Sequence, residues 1–138
     1  MKRLAIVVRE DAYDKILTPL AFAYLSAAEG TEVDMLFVNW AVRALTEDGA
    51  RALRVEGAHA DADHWVRERV AAAGLPNDVR TLLAALHETG KVHCYACSLA
   101  ANIFGVDDGN ILPEAEGIVG AAWFLNEKAA TADHCQYF

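Results

Sequence analysis

The strongest constraint on the fold is a continuous apolar run near the start of the chain. Leu4 to Val8 contains no polar residue and is rich in β-branched side chains. A strand with one solvated face alternates apolar and polar residues, so an uninterrupted run indicates a strand buried on both faces. Such strands are typical of parallel sheets that helices cover on both sides. Met35 to Val38 repeats the pattern, inside a second predicted strand from Glu32 to Val38.

Strand and helix patterns alternate along the rest of the chain. Three more strands are predicted: one that ends at Cys97, Gly117–Gly120 and Cys135–Phe138. Helices are predicted where apolar residues recur at helical spacing or where capping and stop residues occur. The first three run from an Asp14 cap to Gly30, over Thr46–Arg54 with Thr46 as cap, and over His64–Ala73. The other two run from an Asn77 cap to Gly90, and over Ala121–Thr131 with Trp123 and Leu125 as apolar anchors. Glu56–Asp63 is predicted to be a loop. Pro19 indicates that the first helix either begins near it or kinks there.

This alternation predicts a single α/β domain over residues 1–138. The expected architecture is a doubly wound, five-stranded, mostly parallel sheet with helices on both faces, of the size of a flavodoxin. No internal repeat, low-complexity segment or linker interrupts the chain.

Charge and hydropathy exclude several classes of partner. The chain has 12 Lys and Arg against 20 Asp and Glu, a net charge of −8, and no basic cluster. This composition argues against binding to nucleic acid or to an anionic lipid surface. The first apolar run ends at Arg9, too early for a secretion signal, and no uncharged stretch is long enough to span a bilayer. We therefore expect a cytoplasmic protein whose three cysteines form no disulfide framework.

Chemistry is expected at the stretch from Lys91 to Gly105. It is typical of a short strand that leads directly into a short helix, and Cys97 stands where the strand ends. Ligands of open α/β sheets gather outside the carboxyl ends of the strands. A thiol at this junction also faces the amino end of the helix, whose unpaired N–H groups and dipole favour the nucleophilic thiolate. Cys97 is thus the candidate catalytic residue, although a buried structural cysteine has the same appearance in a sequence.

Cys94 and Cys97 form a C-x-x-C pattern. The two cysteines are either a redox pair or have this spacing by coincidence. In thioredoxin-like proteins this motif lies at a helix start. Here Cys94 falls inside the predicted strand, and three strand residues span about 10 Å, beyond the reach of a disulfide. We interpret Cys94 as a core residue, with a secondary or resolving thiol as the alternative.

Four further residues are candidates for a pocket around Cys97. Asn39 and Trp40 follow the second strand at the same sheet edge, and Ser98 supplies the first N–H of the helix after Cys97. Arg9 follows the first strand and could stabilise a thiolate or an anionic persulfide. The alternatives are that Trp40 packs against a helix or a partner subunit, and that Arg9 is simply solvated.

No metal or cofactor is predicted. The potential ligands His93, Cys94, Cys97, His134 and Cys135 have no zinc-knuckle spacing, and the last two open a distant strand. A flavin is disfavoured because Arg9–Tyr13 lacks the Ser-, Thr- and Gly-rich phosphate loop expected after the first strand.

Several motifs in order resemble the DsrE/DsrF-like family of sulfur-relay proteins. They are the first strand, Phe37-Val38-Asn39-Trp40, Gly74-Leu75-Pro76 with the helix to Gly90, Val92-His93-Cys94-Tyr95-Ala96-Cys97-Ser98, Phe104-Gly105-Val106 and Glu116-Gly117-Ile118-Val119-Gly120. The similarity is greatest to a DsrE-type accessory subgroup often described as peroxiredoxin-like. No single motif is as specific as a P-loop; the ordered combination carries the resemblance.

The resemblance implies a five-stranded parallel α/β fold and a homo-oligomer, often a trimer or hexamer. It also implies a cysteine that accepts sulfane sulfur as a persulfide from a donor protein or small sulfane-sulfur compound and passes it to an acceptor thiol. Cys97 matches that cysteine, whereas no family role passes to Cys94. Two alternatives stay open: a dithiol redox protein that uses Cys94 and Cys97, and a non-catalytic oligomeric binding module.

Overall fold

Five parallel strands form the centre of the structure, a computed structural model that describes all 138 residues. In chain order they are β1 (Arg3–Val8), β2 (Glu32–Phe37), β3 (Val92–Cys97), β4 (Gly117–Val119) and β5 (His134–Tyr137). Their order across the sheet is β4-β3-β2-β1-β5. Every pairing is parallel, so the expected mostly parallel sheet is entirely parallel.

The three central strands carry the core, as the continuous apolar runs of β1 and β2 predict. Ile6 of β1 lies opposite Met35 of β2, and Met35 lies opposite Cys94 of β3. All three side chains are buried. The edge strands β4 and β5 contain no buried residue. The burial of the sheet therefore decreases from its centre to both edges.

Six α-helices and three 3₁₀ helices connect the strands. The α-helices are α1 (Tyr13–Ala28), α2 (Glu47–Ala52), α3 (Asp63–Ala72), α4 (Val79–Glu88), α5 (Ser98–Phe104) and α6 (Ala121–Glu127). The 3₁₀ helices span Asn39–Leu45, Gly57–Ala62 and Ala129–Thr131. Helices α1 and α4 pack together over one face of the sheet, here called the α4 face. Phe124 of α6 packs against Tyr95 on the opposite face, here called the α6 face. Helices on both faces confirm the doubly wound fold.

Two helix starts differ from the predictions. Helix α1 begins at Tyr13 after Ala12, whose side chain makes no capping hydrogen bond, so Asp14 lies in the first turn and is not the cap. The N-cap of α4 is Asp78, not Asn77, because the Asp78 carboxylate accepts a hydrogen bond from the Thr81 N–H at 2.8 Å. The predicted cap of α2 is confirmed: Thr46 accepts from the Gly49 N–H at 3.0 Å.

The C-terminal helix also differs from its prediction. It ends at Glu127, and a separate 3₁₀ turn covers Ala129–Thr131. The predicted anchors Trp123 and Leu125 are exposed, whereas Phe124 between them is fully buried. Phe124 is therefore the buried anchor of the helix, while the exposed Trp123 contacts the Tyr95 ring of β3 at 5.6 Å between centroids.

Two 3₁₀ helices were absent from the prediction. Asn39–Leu45 follows β2 and buries Ala41, Val42, Ala44 and Leu45. Gly57–Ala62 replaces the predicted loop over Glu56–Asp63 and buries no residue. Short 3₁₀ segments have no distinctive periodicity, so sequence patterns do not reveal them. No helix of the structure combines the length and the apolar character needed to cross a membrane.

Candidate functional site

Cys97 is the last residue of β3 and the N-cap of α5. Its backbone is extended and pairs with Val119 of β4, so the strand continues to the cysteine and the helix begins at Ser98. The predicted strand-to-helix junction is therefore present. The residue is only 6% exposed, and Cys97 lines none of the principal cavities of the chain.

The alternation of side chains along β3 separates the two cysteines of the C-x-x-C pattern. Successive residues of a strand point to opposite faces of the sheet, so residues three apart never share a face. Cys94 lines a small cavity with Leu83 and His87 of α4, which places it on the α4 face. By the alternation, Cys97 lies on the α6 face together with Tyr95. Both cysteines are free thiols, and their placement opposes an internal disulfide.

The surroundings of Cys94 are those of a structural cysteine. Burial raises the pKa of its thiol to about 12, and the negative charge of Glu116 acts in the same direction. A thiol with this pKa stays protonated at neutral pH and is a poor nucleophile.

Of the four predicted pocket residues, three lie on elements that border Cys97. Ser98 is the first residue of α5. Asn39 and Trp40 begin the 3₁₀ helix after β2, the strand next to β3. Trp40 packs on Phe104 at the far end of α5, with 4.4 Å between ring centroids. Asn39 has a φ of +51°, a left-handed conformation that non-glycine residues rarely adopt and that redirects the chain after β2.

The fourth, Arg9, lies on the other side of β1. Its guanidinium is 3.5 Å from the Glu10 carboxylate and 5.5 Å from the centre of the Tyr137 ring in β5. Because β5 and β3 lie on opposite sides of β1, these contacts do not bring Arg9 to Cys97.

Exposed apolar side chains surround the junction. Leu99 and Ile103 lie four residues apart on α5, hence on one helix face, and are 67% and 63% exposed. Trp40, which packs at the end of the same helix, is 51% exposed. Large apolar side chains clustered at the surface mark contact sites more often than free surface.

A charged cluster on the α6 face was not predicted. The buried carboxylate of Asp34 accepts from Lys128 at 3.0 Å and from the Tyr95 hydroxyl at 3.3 Å. Burial alone would lower the pKa of Lys128, but its hydrogen bonds with Asp34 and Tyr95 raise it, so the ammonium stays charged. The cluster attaches the segment after α6 to the central strands.

His93 forms a second bridge on the same face. Its ring nitrogens lie 3.0 Å from Glu116 and 3.3 Å from Glu32. Burial opposes protonation, but the two carboxylates outweigh it and raise the pKa of His93. The His93 ring therefore links β2, β3 and the residue before β4.

The site contains no cluster of three metal-ligand side chains. His134 and Cys135 lie in β5, three strands from Cys97 and thus about 14 Å away laterally. The fold therefore does not bring the potential metal-ligating residues of β3 and β5 together.

The model of the DsrE/DsrF-like family matches residues 2–135, nearly the whole chain. The chain belongs to the DsrE/DsrF-like family. Sulfur relay is associated with this family in general. No curated protein is significantly similar to this DsrE/DsrF-like chain in sequence.

Solved structures confirm the DsrE/DsrF-like fold. The YchN protein of E. coli is 15% identical and superposes with a TM-score of 0.64 over 100% of both chains. BT1422 of Bacteroides thetaiotaomicron is 14% identical, with a TM-score of 0.66 over 99% of this chain and 95% of its own. MTH1491 of Methanobacterium thermoautotrophicum is 12% identical, with a TM-score of 0.59 over 99% of each chain. The last two are described as proteins of unknown function.

One feature of the sequence of this DsrE/DsrF-like protein could have predicted part of the charged cluster. Glu32 and Asp34 occupy alternate positions at the start of an otherwise apolar strand, which indicates that one face of β2 is polar there. Lys128 had no such signal, because its contact with Asp34 depends on where the chain places α6.

Proposed function

We propose that the protein is a sulfur carrier that holds sulfane sulfur as a persulfide on Cys97 and passes it to an acceptor thiol. The observation that carries this proposal is the position of Cys97 at the carboxyl end of β3, directly before α5, in a member of the DsrE/DsrF-like family. The sheet edge is where ligands of parallel α/β proteins bind. The adjoining backbone N–H groups at the start of α5 suit a negatively charged sulfur.

The transfer needs no cofactor and no net oxidant. The Cys97 thiolate attacks the outer sulfur of a donor persulfide, or of thiosulfate, and the donor thiolate or sulfite leaves as the old S–S bond breaks. The new Cys97 persulfide is then attacked at its outer sulfur by an acceptor thiolate, which takes the sulfur and releases the Cys97 thiolate. Each step exchanges one S–S bond for another, so the electrons balance.

The functional form in this proposal is a homo-oligomer, a trimer or a hexamer. Leu99, Ile103 and Trp40 form an exposed apolar surface next to a cysteine that is itself nearly buried. A neighbouring copy packed on this surface would exclude water from the persulfide while leaving a route for a donor or acceptor. Donor and acceptor, whether proteins or small sulfane-sulfur compounds, would act in the reducing cytoplasm, where thiols stay free.

The experiment is intact-mass spectrometry after incubation with thiosulfate or a low-molecular-weight persulfide. Wild-type protein is expected to gain about 32 Da per sulfur atom, and a reductant should reverse the gain. Cys97→Ser should gain nothing. Cys135→Ser is the matched control, since Cys135 is exposed and lies in the distant strand β5, and it should gain sulfur as the wild type does.

Three results would overturn the proposal. Sulfur uptake by Cys97→Ser would assign the chemistry to another thiol. An unmodified wild type, together with a Cys97 that reacts with a thiol reagent no faster than a free cysteine, would favour the binding-module alternative. A loss of two protons under oxidant, without sulfur uptake, would favour the Cys94/Cys97 redox pair despite their opposite faces.

A further inference from the structure

A separate polar cavity of about 170 Å³ lies near the carboxyl ends of β1 and β2. Four charged residues line it: Asp11 from the β1–α1 connection, Arg43 from the 3₁₀ helix after β2, and Arg54 and Glu56 from the segment after α2. Cys97 does not line this cavity, so a ligand bound here would be independent of sulfur transfer.

All four charged side chains lack an ion-pair partner. Most lysines and arginines of this chain pair with a carboxylate, but Arg43 and Arg54 do not, although Asp11 and Glu56 line the same cavity. The guanidinium of Arg43 contacts only an aromatic ring, that of Trp40, with 5.8 Å to its centre. Arg43, Arg54 and Glu56 are exposed and Asp11 is half-buried, so two positive and two negative groups border one open recess without pairing with one another.

The wall that carries Arg43 is built by close packing. Gly49 of α2 also lines the cavity, and a Cβ atom there would lie 1.8 Å from the Arg43 backbone oxygen. Only glycine allows α2 to approach the Arg43 backbone so closely. The backbone of this wall is therefore held in place by packing and does not depend on a ligand.

We propose that this cavity binds a free α-amino acid as a zwitterion, with its carboxylate on Arg43 and Arg54 and its ammonium on Asp11 and Glu56. The four charged side chains of the lining have a net charge of zero, as does the zwitterion. The ligand carboxylate would be attracted to the two guanidinium groups, and the ligand ammonium to the two carboxylates. Guanidinium forks match carboxylate geometry. The cavity volume of about 170 Å³ is below the range of about 300–1,000 Å³ that is typical of sites for drug-sized ligands. A cavity of this volume suits a small ligand such as a free amino acid.

Calorimetric titration of the full chain with each of the common L-amino acids tests the proposal. At least one is expected to bind with a Kd below about 1 mM. Arg43→Ala and Arg54→Ala should each weaken binding at least tenfold. Arg69→Ala is the matched control, because Arg69 also lacks a carboxylate partner but stacks on Trp65 of α3, outside the cavity. Cys97→Ser should bind normally, which separates this site from the proposed sulfur chemistry.

Ligand analogues provide a second measurement that needs no variant. The amide of the binding amino acid lacks the carboxylate, and its N-acetyl derivative lacks the ammonium, so both should bind at least tenfold more weakly. An N-acetyl derivative that binds as well as the parent would show an anion site and overturn the proposal. Absence of binding by every amino acid, or unchanged binding by both arginine variants, would also overturn it.

Discussion

Strands β1, β2 and β3 bury most of their side chains, whereas residues 56–78, here called the α3 arm, bury none. The strands pair with one another and with helices on both faces. The arm includes α3 and lies against α1 and α4 over an apolar groove of about 310 Å³. Trp65, the largest side chain of the arm, is exposed. The strands are held mainly by the hydrophobic effect, whereas the arm places only Val66 against the core and needs a further attachment.

That attachment is centred on Arg67. Its guanidinium stacks on the buried Tyr13 ring at 3.9 Å and donates to the Asp63 carboxylate at 2.9 Å. It also donates to the backbone oxygens of Asn77 and Leu53. Asp63 in turn accepts from the Val55 N–H at 2.8 Å. The Tyr13 hydroxyl donates to the same Asn77 oxygen at 2.7 Å. Arg67 and Tyr13 together thus fasten the arm at both its ends, so the arm should open locally before the sheet unfolds.

Truncation of an aromatic ring in each region gives the largest expected difference. Phe37→Ala empties a fully buried site in β2 and should lower the free energy of unfolding by about 3–5 kcal/mol. Trp65→Ala in the arm should cost less than about 1 kcal/mol, because the ring is exposed and its contact with the Arg69 guanidinium, 5.8 Å from the ring centre, is a surface one. Urea unfolding measures both. Equal losses would show that the arm contributes to the core.

Removal of Arg67 should release the arm without unfolding the sheet. Arg67→Ala removes one donor each from Asp63, Asn77 and Leu53, at a cost of about 1–3 kcal/mol. Asp63 keeps the Val55 N–H and the Asn77 oxygen keeps the Tyr13 hydroxyl, so the loss falls mainly on the Leu53 oxygen and on the stacking with Tyr13. Amide hydrogen exchange in residues 56–78 should accelerate about tenfold or more, while exchange in β1–β3 stays slow. Arg69→Ala is the control and should leave exchange unchanged. Faster exchange in the central strands would contradict separate attachment.

The smallest effect concerns the polar bridge within the strands and depends on pH. The pKa of His93 is raised above its ordinary value of 6.5, so the bridge contributes fully below that pH and is lost as pH rises through the raised pKa. The hydrogen bonds from Lys91 and His93 lower the pKa of Glu32 from 4.5, so its contribution is present above that pH and is lost on acidification.

Comparison of wild type with His93→Gln between about pH 4.5 and 9 measures this bridge. The stability advantage of the wild type should be largest between about pH 4.5 and 6.5 and should shrink at higher pH. Arg67→Ala serves as a contrast, because the arm should loosen to the same extent across this range. A pH-independent difference for His93→Gln would contradict the imidazolium bridge.

Prediction from sequence succeeded where local pattern and burial agree. Leu4–Val8 and Met35–Val38 have no polar interruption, and both lie in central parallel strands. It failed at helix ends and in weakly buried segments. Asn77 and Asp78 are both good caps, and only the orientation toward the Thr81 N–H distinguishes them. Glu56–Asp63 is polar throughout, so no apolar period revealed its 3₁₀ helix.

The sequence by itself determined the parallel α/β class, the place of Cys97 at a strand-to-helix junction and, through strand alternation, its separation from Cys94. These properties depend on neighbours a few residues away. The tertiary structure decided that Arg67 stacks on Tyr13, that Lys128 neutralises Asp34 and that Arg43 and Asp11 line one cavity. Such contacts join residues far apart in the chain. Strand order and the paths of the connections create them, and no local periodicity encodes either.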